Sequence, residues 1–406
     1  MKKLKSMSIE TDMDLTWLRE FVRDVVIPAE TADLESQEFN FSIAETLFQK
    51  GVMHLATPKE FGGQGSSVID LAWVVRELSY GSASLGATFI GNMLGFSAPV
   101  LYASAELREK LCRTYKNENV LWSFAMSESG AGSDLAATKT VAVEDGDDFV
   151  ITGEKNFITN ASLSKHMSIF ARLIDKFGKD QGVSCFYISG DNPGVKRGPV
   201  MDKVAWKKAN TGTILFKDAR IPKTNIIGEP GQGLRILTHC LNRSKTLLGA
   251  MGVGISMRAL DLSQERLLST QRYGKNLLDQ SAIRHVLARL HTKAEAAWLL
   301  TCRAAATWDA GIPAVKESSM AKLFSGATAS EIAMQATELF GARGLFNDYE
   351  VSKLSRDAKA IEIIEGPSLV QELLIAKEVL PRDAGKQKAK IDLFKISETD
   401  TKKGAA

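Results

Sequence analysis

Near residue 121 the period of the hydrophobic residues changes, and near residue 228 it changes back. From 14 to about 118 the segments LTWLREFVRDVVIPAE, SIAETLFQKGVMHLA and DLAWVVRELSYGSASLGATFIGNMLG carry apolar residues at helical spacing. From 121 to 227 the runs VLWSFAMS, HMSIFARLI, VSCFYIS and TGTILFKDARI are short, with Gly, Asp and Asn turns such as DGDD and SGDNPG between them. After GEPGQG, long helical periods return in LRILTHCLNRSKTLLGAMGVGISMRALDLSQERL and SAIRHVLARLHTKAEAAWLLTCRAAATWDAG. Helices first, strands second and helices last predict a mainly α protein with a central β-domain, either a barrel or a sandwich. The expected divisions are an N-terminal helical domain (1–120), a middle β-domain (121–232), a C-terminal helical bundle (233–380) and a charged, mostly disordered tail (381–406).

Composition narrows the function. The 406 residues are 44% hydrophobic, and 51 Lys plus Arg stand against 48 Asp plus Glu, scattered and not striped, which disfavours nucleic acid. The sequence reading finds no apolar run of membrane-span length and no apolar core after the lysines of MKKLKSMSIETDMDL, so it expects a cytoplasmic protein without a membrane partner. Cys112, Cys185, Cys240 and Cys302 lie far apart, and the five histidines, His285 and His291 included, show no ligand spacing, so no metal site is expected. GEPGQG lacks the Lys-Ser/Thr ending of a phosphate loop and reads as a domain connector.

Two stretches carry chemistry. FAMSESGAGSD (124–134) sets Gly130 and Gly132 among Ser127 and Ser133, and GEKNFITNAS (153–162) adds Phe157 and Thr159. Close backbone approach, short hydroxyls and a flat apolar face suit the edge of a planar ring or a pyrophosphate. Near the end, AKAIEIIEGPSLVQELL places Glu365 between Ile363–Ile364 and Gly366–Pro367. A carboxyl flanked by isoleucines loses hydration in a closed pocket and gains proton affinity, which suits a general base.

Together with GTILFKDARIP, GEPGQG, RYGKNLLDQ and LSRDAKAIEIIEGPS, these motifs resemble the acyl-CoA dehydrogenase family over about residues 14–380. The resemblance implies FAD between the β-domain and the bundle, and oxidation of an acyl thioester at Cα and Cβ. It puts Phe124, Met126, Ser127, Gly132, Ser133, Phe157 and Thr159 on the cofactor, with Phe157 over a ring face and Thr159 near flavin N5. Glu365 takes the place of the base that removes the α-proton while hydride leaves Cβ. Ser133, Asn242, Lys245, Ile364 and Gly366 fall beside the substrate, in a pocket expected from about Ile90 to Phe96 and Ile364. Arg272, Gln280, Glu338 and Gly341 correspond to positions that hold the adenosine end of a cofactor in a neighbouring subunit. There the chain departs from the pattern: Thr270 stands for an arginine, Glu338 for a glutamine, and GARG (341–344) for a more glycine-rich turn. Arg272 or Arg343 would then supply the missing cation. NRSK (242–245) also departs, leaving the hold on pantetheine open.

The implied partners are an acyl-CoA, an electron-transfer flavoprotein, and either a second copy in a dimer or tetramer or a homologous chain in a heteromer. Two alternatives remain: a dehydrogenase or oxidase of carrier-protein-tethered acyl groups, and a silent structural relative. Retention of Glu365, Thr159 and the Gly-Ser turn argues against the latter.

Overall fold

The computed structural model describes residues 10–380. The expected charged tail, 381–406, lies outside them.

The first helical period is continuous but not uniform. Helix α1 (Thr16–Phe21) runs through a π-helical turn, Val22–Val26, into α2 (Ile27–Thr31). Pro28 in the first turn of α2 follows directly on that turn; proline has no N–H to donate, and one wide turn spares its ring a clash with the preceding carbonyls. Helix α3 (Phe41–Gln49) follows, its amides capped by Asn40. The long apolar stretch after it breaks at Ser82, which ends α4 (Val68–Gly81) and caps α5 (Ala83–Tyr102) by accepting from Leu85 N. One expectation fails here, since α5 is long and apolar enough to cross a membrane. Two thirds of its apolar window is buried inside the protein, where it packs as a core helix. Helix α6 (Ala105–Asn117) ends the first helical block.

Eight strands follow: β1 (Leu121–Ala125), β2 (Val141–Asp145), β3 (Asp148–Thr159), β4 (Ser164–Ile174), β5 (Asp180–Ser189), β6 (Val195–Val200), β7 (Thr211–Pro222) and β8 (Ile226–Ile227). They form one sheet in the order β6-β7-β3-β2-β4-β5-β8, and β1 adds to the same β4 in parallel. The sheet curls on itself, because Phe149 of β3 and Phe186 of β5, which are not neighbouring strands, stack edge to face at 5.3 Å. Between Lys155 and Ile158 the β3–β7 register slips, and Phe157 inside the slip adopts φ +62°. This bulge turns the ring outward and leaves it 65% exposed.

Helix α7 (Gly233–Ser269) then leads through a short hairpin, β9 (Gln271–Arg272) and β10 (Lys275–Asn276), to α8 (Ser281–Asp309), α9 (Val315–Leu339), α10 (Glu350–Ile363) and α11 (Ser368–Val379). The hairpin is the one strand pair in a block whose sequence has no strand texture; Tyr273 (φ +54°) and Gly274 (φ +75°) make its tight turn.

Three blocks meet at one buried ion network. Lys353 of α10 pairs with Glu30 of α2 at 2.8 Å and with Asp357, one turn on, at 2.5 Å. Asp357 in turn accepts from the backbone N of Trp206 in the β6–β7 loop at 2.7 Å, and Trp206 Nε1 donates to the Asp357 carbonyl. Lys208 of that loop donates to the carbonyls of Ala29 and Glu30. Burial works to raise the Glu30 pKa, but Lys353 and Lys208 outweigh it and hold the carboxyl below its ordinary value, so it stays ionised. Removing one member leaves its partner charged and dry. Lys353→Met is therefore expected to cost about 3–5 kcal/mol of stability, read as a lower midpoint in urea unfolding, while exposed Arg23→Met should change little.

Candidate active site

Glu365 sits two residues beyond the C-terminus of α10, in a left-handed conformation (φ +50°), and Gly366 follows at φ +90°. Two consecutive positive φ values fold the chain back into α11, and the second position excludes a side chain: a Cβ on Gly366 would approach Gln371 Nε2 to 2.8 Å. The Gly366 carbonyl accepts from buried Lys322 Nζ (2.7 Å) and from Gln371 Nε2 (2.8 Å). The glycine is needed for this turn and its carbonyl contacts, and not chiefly to keep the space beside the carboxyl clear.

The carboxyl points inward onto α7. Ser244 Oγ donates to Glu365 Oε1 at 3.0 Å, while Oε2 is shut off from solvent and has no hydrogen-bond partner among the described residues. Ile363, expected to shield the acid, is 61% exposed and takes no part in this. Shielding comes instead from α7 and α9, whose Ser244, Lys245 and Lys322 are buried. Burial lifts the Glu365 pKa to about 7, against the Ser244 hydrogen bond and the charges of Lys245 and Lys322. The same burial pushes both lysines down to about 8, against the pull of the Glu365 charge.

An unpaired oxygen on a dry carboxyl with a near-neutral pKa is the arrangement of a base awaiting a proton donor. Beside Ser244 opens a narrow cavity of about 40 Å³, walled by Met93, Leu94, Phe96 and Val100 of α5 and by Cys240 and Leu247 of α7. Part of the expected Ile90–Phe96 wall is thus present, whereas Ile364 is not part of this cavity's lining.

The other expected positions fall into two groups. Phe124, Met126, Ser127, Gly132, Ser133, Phe157 and Thr159 lie on β1, the loop after it, and the end of β3, where Asn156 N bonds the Ser127 carbonyl at 2.8 Å. Gly91 of α5 packs so closely on Thr159 that a Cβ would meet its Cγ2 at 2.8 Å. Asn160 fixes the corner by donating to the carbonyls of Thr88 and Trp122. Gly130 and Gly132 have ordinary φ and open space around them, so their backbone does not require glycine, and the bare surface they leave is where a planar cofactor can approach. The outward Phe157 ring and these open amides fit a flavin.

Arg272, Gln280, Glu338 and Gly341 are not brought to this place. About 40 Å of α7 separate Ser244 from Ser269, just before the hairpin that bears Arg272. Arg272 bonds its neighbour's carbonyl, Glu338 accepts from Gln335, and both are exposed, as are Gly341 and Arg343; Gln280 is half-buried at the start of α8. Asn242 and Lys245, expected along the substrate, are buried and turned to each other, with Lys245 Nζ 2.9 Å from Asn242 Oδ1. The Lys245 charge still acts on the Glu365 carboxyl.

Three contributors escaped the sequence reading. Ser244 lies inside NRSK but carries no signal of its own. Lys322 occupies a core-face position of α9, in step with Ser325 and Ala329, and a lone lysine on an apolar stripe is the available clue. Glu128 of SESGAGSD is clamped by Lys155 Nζ (2.7 Å), by Thr140 Oγ1 and by the amides of Lys139 and Thr140. Burial opposes ionisation of this carboxyl, but the Lys155, Thr138 and Lys139 contacts prevail and hold its pKa near 2. It shapes the loop.

Comparison with known proteins agrees with this geometry. The acyl-CoA dehydrogenase N-terminal, middle and C-terminal domain models match residues 10–115, 123–219 and 231–380. The cyclohexane-1-carbonyl-CoA dehydrogenase of Geobacter metallireducens is 33% identical over 369 residues, covering 90% of this chain and 96% of that protein. The butyryl-CoA dehydrogenase structure from Megasphaera elsdenii superposes with a TM-score of 0.85 at 25% identity, covering 91% of this chain and all of that one. A chain from a structural study of the electron transferring flavoprotein of Acidaminococcus fermentans gives 0.87 at 26%, over 92% of this chain and all of that one.

Because the folded state holds the Glu365 proton more tightly than an unfolded carboxyl near 4.5, ionising it opposes folding. This group's contribution lowers stability as pH rises from about 4.5 to about 7. Ser244→Ala removes a bond to the ionised form and should move the Glu365 titration above 7, visible as a carboxyl C=O infrared band that persists to higher pH and is absent from Glu365→Gln.

Proposed function

The chain belongs to the acyl-CoA dehydrogenase family, whose members are flavoproteins, and from that we propose that it oxidises an acyl-CoA at Cα and Cβ with Glu365 as the base. The observation that carries this reading is Oε2 of Glu365, dry and without a hydrogen-bond partner among the described residues, on a carboxyl held by Ser244 at the edge of a cavity.

Bound FAD supplies the two-electron acceptor for the hydrogen leaving Cβ. Phe124, Met126, Ser127 and Thr159 would edge it, and Phe157 would cover a face. The chain's own part is proton chemistry and position. The α-hydrogen of a thioester is a weak acid, so the base must be ionised yet avid for a proton, and a pKa of about 7 meets both needs. Ser244 holds Oε1 and leaves Oε2 to take the proton, so Cα has to lie beside Oε2. Lys245 and Lys322 moderate the cost of a buried carboxylate without pairing with it directly. The apolar wall of α5 keeps water from the deprotonated carbon.

Arg272, Gln280, Glu338 and Gly341, remote from Glu365 in one chain, serve the cofactor of an adjoining subunit, either a second copy or a homologous chain. An electron-transfer flavoprotein takes the electrons onward.

Anaerobic mixing with a panel of acyl-CoA thioesters should bleach the flavin of the wild-type protein. Glu365→Gln should retain FAD and bind thioester but leave the flavin oxidised; normal bleaching in that variant would remove Glu365 from the mechanism. The log of kcat/KM should rise with pH and level off above about 7, since only the ionised base works. Stoichiometric FAD and full activity in protein expressed alone would select the homomer over the heteromer.

A further inference from the structure

One wall of the cavity beside Ser244 carries a charge that proton abstraction does not use. Arg243 lines it together with apolar Met93, Leu94, Val100 and Leu247. Among the described residues no carboxylate lies within 4 Å of its guanidinium, and none of its nitrogens has a protein hydrogen-bond partner. The acid that acts on it from further off is Asp309, whose two oxygens are already taken by the backbone N of Val68 (2.6 Å) and Ile69 (3.0 Å). Of its other titratable neighbours, the Cys240 thiol is pushed up to about 11 by burial and so stays neutral, while His239 is disfavoured as a cation by its own burial and by this arginine, and its Nδ1 is engaged by the Tyr102 hydroxyl.

A half-buried guanidinium facing an apolar cavity with no anion in reach is costly unless a ligand supplies the anion. Its planar fork matches a carboxylate in a bidentate way, which a lysine cannot reproduce. Arg243 and Ser244 are consecutive on α7 and so point about 100° apart around the helix. Ser244 lines the cavity and holds Glu365 by a hydrogen bond, and Arg243 lines the same cavity beside it. A substrate whose reacting carbons sit at Glu365 would extend its acyl chain past Ser244 into this cavity and toward the guanidinium, and the small cavity calls for a short chain.

We propose that Arg243 is a specificity-determining residue that receives a distal carboxylate, and that the substrate is the thioester of a short dicarboxylic acid. This rests on the thioester reading of Glu365 given above.

The test compares succinyl-, glutaryl- and adipyl-CoA with butyryl-, valeryl- and hexanoyl-CoA, and adds the glutaryl-CoA whose distal carboxylate is a methyl ester. In wild-type holoenzyme the best dicarboxylic thioester should exceed its chain-matched monocarboxylic partner by about tenfold or more in kcat/KM, mostly through KM. The methyl ester should lose that advantage, Arg243→Met should collapse the ratio, and Arg243→Lys should restore part of it. The same titrations on FAD-loaded Glu365→Gln, by calorimetry, read recognition without turnover. Preferential binding of the dicarboxylic thioesters there, with no thioester oxidised by wild type, would sink the dehydrogenation reading and leave Arg243 in its role. Equal affinity for both series, a methyl ester that binds as well as the free acid, an unchanged ratio in Arg243→Met, or no binding of any dicarboxylic thioester would overturn the proposal. The ester comparison uses wild-type protein, so it decides the matter even where Arg243→Met does not fold.

Discussion

A single ammonium group, Lys353 Nζ, is the point on which three blocks of chain converge. It is held between Glu30 of the first helical block and Asp357 of its own helix, and Asp357 grips the loop that projects from the sheet. Desolvated charges of this kind tolerate little displacement, because each ångström of separation forfeits attraction that bulk water cannot replace. The network therefore fixes α10 relative to both other blocks. Two turns further along that helix the chain emerges at Glu365.

The Glu365 carboxyl inherits its position from that anchoring and its proton affinity from its neighbours. A positive φ at both Glu365 and Gly366 turns the carboxyl away from solvent, and the Lys322 and Gln371 donors to the Gly366 carbonyl hold the turn. Such backbone conformations persist only where surrounding contacts over-determine them. Burial alone would drive the acid fully neutral. Ser244 and the two buried lysines bring it back to the neutral range, so the site is a balance between desolvation and a small positive field.

A second balance governs the β-domain side of the site. The Glu128–Lys155 pair ties the loop after β1 to β3, and Asn160 ties β3 to α5. Between these two fixed points Phe157 is forced outward by a slip in strand register. Fixed flanks thus leave an exposed aromatic ring and open space at Gly130 and Gly132, a surface on which a flat ligand fits.

What the sequence determined by itself is the part governed by local periodicity and local chemistry. The change from helical to alternating spacing at 121, and back near 228, is dictated by which face each element must bury, so the order of blocks was legible. Glu365 stood out as a candidate, because an acid between Ile363–Ile364 and Gly366–Pro367 breaks the local pattern and the surrounding motifs resemble one family. The source of its shielding was not legible: Ile363 faces outward, and the enclosing atoms come from Ser244, Lys245 and Lys322, far along the chain. Only tertiary structure could decide that Asn242 and Lys245 are buried against each other, that Arg243 lines a cavity without a counter-ion among the described residues, and that Arg272 and Glu338 lie remote from Glu365. Pairing and burial of charges depend on distances between residues distant in sequence, and a one-dimensional pattern carries no record of those distances.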